Sequence, residues 1–367
     1  MEQLLYVGAT HKTAALALRE KLAPVTDRVP LLLAELARIA DERLVLSTCG
    51  RFEIYLVQDR DRHRRWPDWL SSLVGLPRDA LTPHVRALSG RDAARRALRV
   101  AAGLESRILG EDQILSQVRR AFQTALLERS AGPVLSAMFR AAIHAGRRVR
   151  CETPLRLSAG GFARLAVRQA LAAVPRNGGA TVVVLGAGVL AKDVAMQLAR
   201  RDNLRLVIVG RHLDRAARLA RPCGAEAVGL DRLGESLRTA DLLIGCAAAS
   251  GPIVSRDELD ARAKPLHVID LGVPRNVAAD AAALPFVTLT HLDMIKSPAR
   301  ADPRAVRDAE AIVEDELQRF AGWMRARRAA PAIVRLHRWA DRLEPGARRT
   351  VRRALHRRIV RLKEAVA

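Results

Sequence analysis

Thr181-Val182-Val183-Val184-Leu185-Gly186-Ala187-Gly188-Val189-Leu190-Ala191 is the stretch that decides the architecture of this chain. Its first five residues form a β-branched apolar run, which reads as a strand buried on both faces. A GxGxxA turn and a helical segment follow. The first glycine permits the tight turn, and the second lets backbone amides approach a pyrophosphate at the helix N-terminus. Gly186, Ala187, Gly188, Val189, Leu190 and Ala191 are therefore the expected cofactor-binding residues. Outward from this point, apolar runs at 204–209, 242–245 and 267–271 alternate with helical segments. That alternation predicts a Rossmann-type, doubly wound parallel sheet.

The second strand ends in Val209-Gly210-Arg211-His212. NAD-binding units usually carry an acidic residue here for the ribose 2′-hydroxyl. A guanidinium instead suits a 2′-phosphate, so Arg211 favours NADPH over NADH.

On the C-terminal side, the chain is helical and basic from Pro303. Val306, Ala309, Ile312, Val313, Leu317, Phe320 and Met324 mark one apolar face of a long helix. Pro331 is expected to interrupt it, and Pro345-Gly346 to divide two short Arg-rich helices in the tail. On the N-terminal side, strands are expected at 3–8, 43–48 and 53–58, with a helix near 27–40 and a helical block over 91–150 closed by Pro154. The reading is an α/β multidomain chain. An α+β catalytic and substrate-recognition domain covers 1–155, a Rossmann NADP-binding domain covers 156–300, and a long helix with a short helical tail covers 301–367.

Ser47-Thr48-Cys49-Gly50-Arg51 closes the strand-like run Leu44-Val45-Leu46. It sets a thiol at a strand end with a guanidinium two residues on, a pairing that lowers a thiol pKa and makes a nucleophile. Cys151, Cys223 and Cys246 read as inert thiols. The four cysteines show no metal-ligand spacing and suit a reducing, cytoplasmic setting. No apolar run approaches the ~20 residues of a membrane span. Lys plus Arg is 62 against 39 acids, a net charge of +23. That excess favours a polyanion such as nucleic acid, although an Ala/Arg-rich composition accounts for it equally well.

Taken together, these motifs resemble the glutamyl-tRNA reductase family over about residues 5–330. The matching segments run in order. They are Gly8-Ala9-Thr10-His11-Lys12-Thr13-Ala14, the Cys49 segment through Tyr55, and Gly103-Leu104-Glu105-Ser106 through Gln117-Val118. Gly146-Arg147-Arg148-Val149-Arg150-Cys151-Glu152-Thr153 and Ile269-Asp270-Leu271-Gly272-Val273-Pro274-Arg275 complete the set.

The resemblance implies NADPH-dependent reduction of glutamyl-tRNA to glutamate-1-semialdehyde through a Cys49 thioester, the first step of tetrapyrrole (porphyrin) biosynthesis. It implies that Thr48, Arg51, Ser106, Glu111, Gln113 and Gln117 hold the aminoacyl group, with Arg51 pairing the side-chain carboxylate. It also implies a homodimer, and a downstream aminotransferase as partner. After the long helix, few residues remain for the family's dimerisation domain, so a shortened bundle or its loss is expected.

Three positions near the chemistry depart from the family pattern. Gly50 stands where Asn is usual, Asp112 where Pro is usual, and Arg96 where an activity-linked His is common. Arg96 cannot act as a base, and its expected role is to stabilise an oxyanion or the thiolate. These departures leave other readings open: a reductase of another aminoacyl-tRNA, a degenerate binding relative, or a small-metabolite dehydrogenase. His11 and Lys12 receive no role in the reaction from sequence.

Overall fold

The computed structural model of the protein describes residues 3–23, 28–58, 65–155, 161–174, 179–260, 262, 264–295, 302–342 and 354. Two sheets organise it. The first is four-stranded and antiparallel, ordered β2-β3-β1-β4, from β1 (Leu4–Thr10), β2 (Glu42–Thr48), β3 (Arg51–Val57) and β4 (Arg86–Ser89). Alternation along the strands feeds two cores. Leu5, Val7, Val45, Ile54 and Leu56 meet Leu32, Leu33, Leu36 and Leu70 beneath α2 (Val29–Leu36) and α3 (Trp66–Val74), beside the short α1 (Leu16–Leu22). Leu4, Tyr6, Leu44, Leu46 and Tyr55 face the other way, onto α4 (Gly90–Ala101), α5 (Asp112–Leu127) and α6 (Pro133–Glu152). The 91–150 block is thus three helices, and residues 102–111 between them are non-helical turn. The expected block is interrupted there because Gly103 and Gly110 both take positive φ, at 80° and 75°, which ends regular helix.

The second sheet has six parallel strands, ordered β10-β9-β8-β5-β6-β7. After α7 (Phe162–Ala172) come β5 (Ala180–Leu185), α8 (Val189–Leu198), β6 (Leu204–Gly210), α9 (Leu213–Ala220), β7 (Glu226–Gly229), α10 (Leu233–Thr239), β8 (Leu242–Gly245), β9 (Leu266–Asp270) and β10 (Val287–His291). The strand order reverses at β5, so the Gly186 turn lies at the switch point where α/β sheets bind nucleotides.

A single helix, α11 (Pro303–Asp341), runs 39 residues with Pro331 inside it. The expected break does not occur. Pro331 removes one backbone bond from the helix, which continues beyond it. The apolar stripe behaves as expected: Ala309, Ile312, Val313, Leu317, Phe320 and Met324 are buried in the N-terminal core. Each large side chain there contributes about 2 kcal/mol of burial. Ion pairs fasten the same stretch, with Glu314 on Arg91 and on Arg95 (3.1 Å), and Glu316 on Arg148 (2.8 Å). The helices expected around Pro345-Gly346 lie outside the described residues.

Candidate active site

Cys49 and Gly50 form the two-residue turn between β2 and β3, with Thr48 paired opposite Arg51. Three contacts hold the turn. The His11 amide donates to the Gly50 carbonyl (2.9 Å), the Gly50 amide donates to Thr48 Oγ1 (3.3 Å), and Arg19 Nη1 donates to the Cys49 carbonyl (2.6 Å). Of the residues singled out in sequence, Thr48, Cys49, Gly50, Arg51, Ser106, Glu111 and Gln117 line one cavity. Its volume is about 40 Å³, room for no more than a few waters. Phe162 and Leu292 of the nucleotide-binding half form part of its wall, and Cys49 packs against an apolar cluster that joins Ile108 to that half's Phe162 and Leu292. The joint is closed in this structure.

His11, Arg107, Phe162 and Leu292 were not found from sequence as wall residues of this cavity. Phe162 and Leu292 lie more than a hundred residues from Cys49, and only the packing of the two halves unites them. His11 carried a local signal, because β1 pairs with β3 and Thr10 stands opposite Arg51.

The expected lowering of the thiol pKa is corrected. Burial pushes Cys49 up to about 11 and the Glu111 carboxylate adds to the rise. Arg19, Arg107 and Arg51 act in the opposite direction without overcoming it. The closed site therefore stores a thiol rather than a thiolate. Glu111 is itself raised, because its burial outweighs the guanidiniums of Arg51 and Arg150.

Arg51 is 3% exposed. Its Nη1 pairs with Glu53 (3.2 Å) and its Nη2 donates to the Glu105 carbonyl (2.7 Å), while Nε is buried without a partner. Arg96 does not line the thiol cavity. Its guanidinium is taken up by Glu53 (2.9 Å) and Glu105 (2.7 Å) and lies over the Tyr6 ring. The expectation that Arg96 stabilises the thiolate directly is corrected by this placement. Glu53, fully buried, also accepts from Tyr55 (2.9 Å); burial raises its pKa, but Arg51 and Arg96 outweigh that and hold it below the usual range.

Asp112 and Gln113 fall outside the thiol cavity. They line a larger cleft, about 900 Å³, between α5 and the nucleotide-binding half. Asp112 pairs with Arg150 (3.4 Å) and Gln113 donates to Asp193 (2.8 Å). Glu111 and Phe162 belong to both spaces and so separate the cleft from the thiol. Arg164 and Arg200 bring positive charge to the cleft.

At the switch point, Gly186, Ala187, Gly188, Gly210, Arg211 and Arg215 line a cavity of about 250 Å³. Gly186 has φ +119°, and a Cβ there would lie 2.8 Å from the Ala247 amide nitrogen, so only glycine fits. A Cβ at Gly188 would meet nothing within 4 Å, which leaves the N-terminus of the ten-residue α8 open to a phosphate. Ala191 is fully buried and lets α8 approach the sheet, whereas Val189 is exposed and Leu190 half-buried. The open cradle and two guanidiniums fit an adenine dinucleotide bearing a 2′-phosphate. Sequence reasoning missed Arg215, although it stands one helical turn beyond Arg211.

A Rossmann-type nucleotide-binding half closed onto a thiol-bearing α/β unit defines an oxidoreductase with a cysteine at the junction of its halves. Family models agree: glutamyl-tRNA(Glu) reductase N-terminal domain matches residues 7–153, shikimate/quinate 5-dehydrogenase 168–297, and glutamyl-tRNA(Glu) reductase dimerisation domain 308–355. The glutamyl-tRNA reductases of two Thermus thermophilus strains are each 36% identical over 341 residues, covering 92% of this chain and 85% of theirs. The solved glutamyl-tRNA reductase of Methanopyrus kandleri superposes with TM-score 0.50 at 27% identity, covering 100% of this chain and 94% of that one. The chain belongs to the glutamyl-tRNA reductase family.

Proposed function

We propose that this protein reduces the glutamyl ester of tRNA to glutamate-1-semialdehyde with NADPH, through a thioester on Cys49, and so supplies tetrapyrrole synthesis. The observation that carries this reading is the cavity that Cys49 shares with Phe162 and Leu292 of the nucleotide-binding half. An acyl group on that sulfur sits at the joint between the two halves.

The cavity around the thiol is too small for an aminoacyl ester, so Phe162 and Leu292 withdraw to admit the charged 3′ end. The cleft beyond Glu111, with Arg164 and Arg200, is the approach for the polyanion. Thr48, Ser106 and Gln117 hold the glutamyl group, and the Glu111 carboxylate receives its α-ammonium. The unpartnered Nε of Arg51 is a donor open to the γ-carboxylate. Sulfur attacks the ester carbonyl, the ribose oxygen leaves, and a thioester remains. Gly186–Gly188, Arg211 and Arg215 would hold NADPH, the guanidiniums at its 2′-phosphate, and the bound cofactor would supply the hydride that the thioester accepts. Collapse of the resulting thiohemiacetal frees the aldehyde and restores the thiol.

In this reading residues 1–155 form the catalytic domain, 156–300 the NADP-binding domain and 301–367 the dimerisation region of a homodimer. The product then passes to an aminotransferase in the cytoplasm. Single-turnover mixing with glutamyl-tRNA tests the reaction. An acyl-Cys49 adduct without NADPH and an aldehyde of the semialdehyde's mass with it are expected, and Cys49→Ser gives neither. Equal aldehyde from another aminoacyl-tRNA, or aldehyde from Cys49→Ser, sinks the proposal.

A further inference from the structure

Thioester formation from a protonated sulfur needs a group to take the thiol proton and return it to the departing ribose oxygen. Arg96 cannot do this, being held between Glu53 and Glu105 away from the cavity and permanently charged. Glu111 answers the substrate ammonium in the reading above.

His11 meets the requirement. It lies at the end of β1, and its amide is bonded to the Gly50 carbonyl (2.9 Å), so its backbone is fixed against the thiol turn. Its side chain lines the same cavity as Cys49. Nδ1 is buried with no hydrogen-bond partner, a costly state for a polar atom unless something fills it during turnover. Residue 50 keeps that face open: Nδ1 is the one atom within 4 Å of the position a Cβ at Gly50 would take, at 3.8 Å.

We propose that His11 is the catalytic base of the acylation half-reaction. With its own proton on Nε2, it takes the Cys49 proton on Nδ1 as the sulfur–carbon bond forms. It then gives that proton to the 3′-oxygen of the tRNA ribose as the carbon–oxygen bond breaks. One S–H and one C–O bond are broken, one S–C and one O–H bond are formed, and His11 ends neutral.

The electrostatic setting suits this role. Burial, and the cations Arg107, Arg51, Lys12 and Arg19, push His11 down to about 4, so the imidazole is neutral at any ordinary pH. A base this weak does not draw the proton from a resting thiol at about 11. It accepts the proton once bonding to carbon makes the sulfur strongly acidic, so transfer and attack proceed together. Of these cations Arg107 and Arg51 also line the cavity, where their charge favours the developing oxyanion.

This inference rests on the acyl-Cys49 reading, and the test separates the two. Full-length wild type, His11→Ala and His11→Gln are mixed with glutamyl-tRNA without NADPH, quenched in acid, and assayed for acyl-Cys49 by mass. Both variants are expected to acylate about 10²- to 10⁴-fold more slowly, with tRNA affinity unchanged. Added imidazole is expected to restore part of the rate in His11→Ala and none in His11→Gln, whose side chain fills the space. Acylation of His11→Ala within about threefold of wild type, at a step expected to lose 10²-fold or more, overturns the role of His11, as does a slow variant that imidazole does not rescue. Wild type that forms no acyl-Cys49 overturns the underlying reading as well.

Discussion

Arg19 and Asp293 join the two halves at the thiol. Arg19 Nη2 reaches both carboxylate oxygens of Asp293 (2.5 and 2.6 Å) while Nη1 of the same guanidinium holds the Cys49 carbonyl (2.6 Å). Arg107 Nη2 adds a third bond to the Asp293 carboxylate (2.5 Å). Any movement that withdraws Leu292 from the thiol must therefore break charge-assisted bonds beside the reacting atom.

Asp293→Ala tests that coupling. Arg19 is 2% exposed, and removing one partner of a buried pair costs about 3–5 kcal/mol. The partial exposure of Asp293 puts this pair at the lower end, about 3 kcal/mol. Urea unfolding is expected to show that loss. Cys49 is expected to react faster with iodoacetamide at neutral pH, because the cavity opens more often. Unchanged alkylation would mean that the pair does not gate the thiol.

The thiol has its own pH signature. Its pKa is raised to about 11, so the reactive thiolate grows with pH. Alkylation of Cys49 is expected to climb about tenfold per pH unit and to level only near 11. Glu111 is the carboxylate that pushes Cys49 upward, so Glu111→Gln is expected to move the profile to lower pH. A plateau already at pH 8 in wild type would contradict the burial argument.

What the sequence shows and hides follows from how far each feature reaches along the chain. The Gly186 turn, the Cys49 turn and the α11 stripe are each written within one or two elements, and the structure places all three where their spacing implies. The strands β7 and β10 are hidden because they are short or lie at the sheet edge, with Glu226 and Thr288 interrupting an apolar pattern. The wall of the thiol cavity is hidden because Phe162 and Leu292 reach Cys49 only after two domains pack. Burial also outweighs the lowering that Arg51 exerts on the thiol: a neighbouring cation is visible in sequence, whereas desolvation is not.

Arg96 is expected to act on stability before chemistry. It holds Glu53, which is fully buried, and Glu105, whose burial is outweighed by Arg96, Arg99 and Lys12 so that its pKa falls to about 2. Arg96→Met leaves two buried carboxylates short of a partner, at a cost of about 3–5 kcal/mol. Because Glu105 is ionised down to about pH 2 in the fold and titrates higher in the unfolded chain, the stabilisation is present at neutral pH. It is lost as pH falls through about 4 toward 2. The Arg96→Met deficit in urea unfolding is therefore expected to be large at pH 7 and smaller at pH 3. A deficit independent of pH would assign the loss to packing over Tyr6.

In the proposed reading the choice of cofactor rests on Arg211 and Arg215, which share the switch-point cavity with the Gly186 turn. Each guanidinium on a 2′-phosphate makes charge-assisted bonds worth about 1.5–3 kcal/mol. Truncating either is expected to raise KM for NADPH about 10- to 100-fold and to leave KM for NADH nearly unchanged, since NADH has no group for them to hold. The double variant is expected to use both cofactors about equally. If Arg211→Ala weakened both alike, the residue would be supporting the turn after β6 rather than reading the phosphate. If Arg215→Ala alone erased the preference, recognition would belong to the first turn of α9, and the guanidinium at the strand end would serve only the general field.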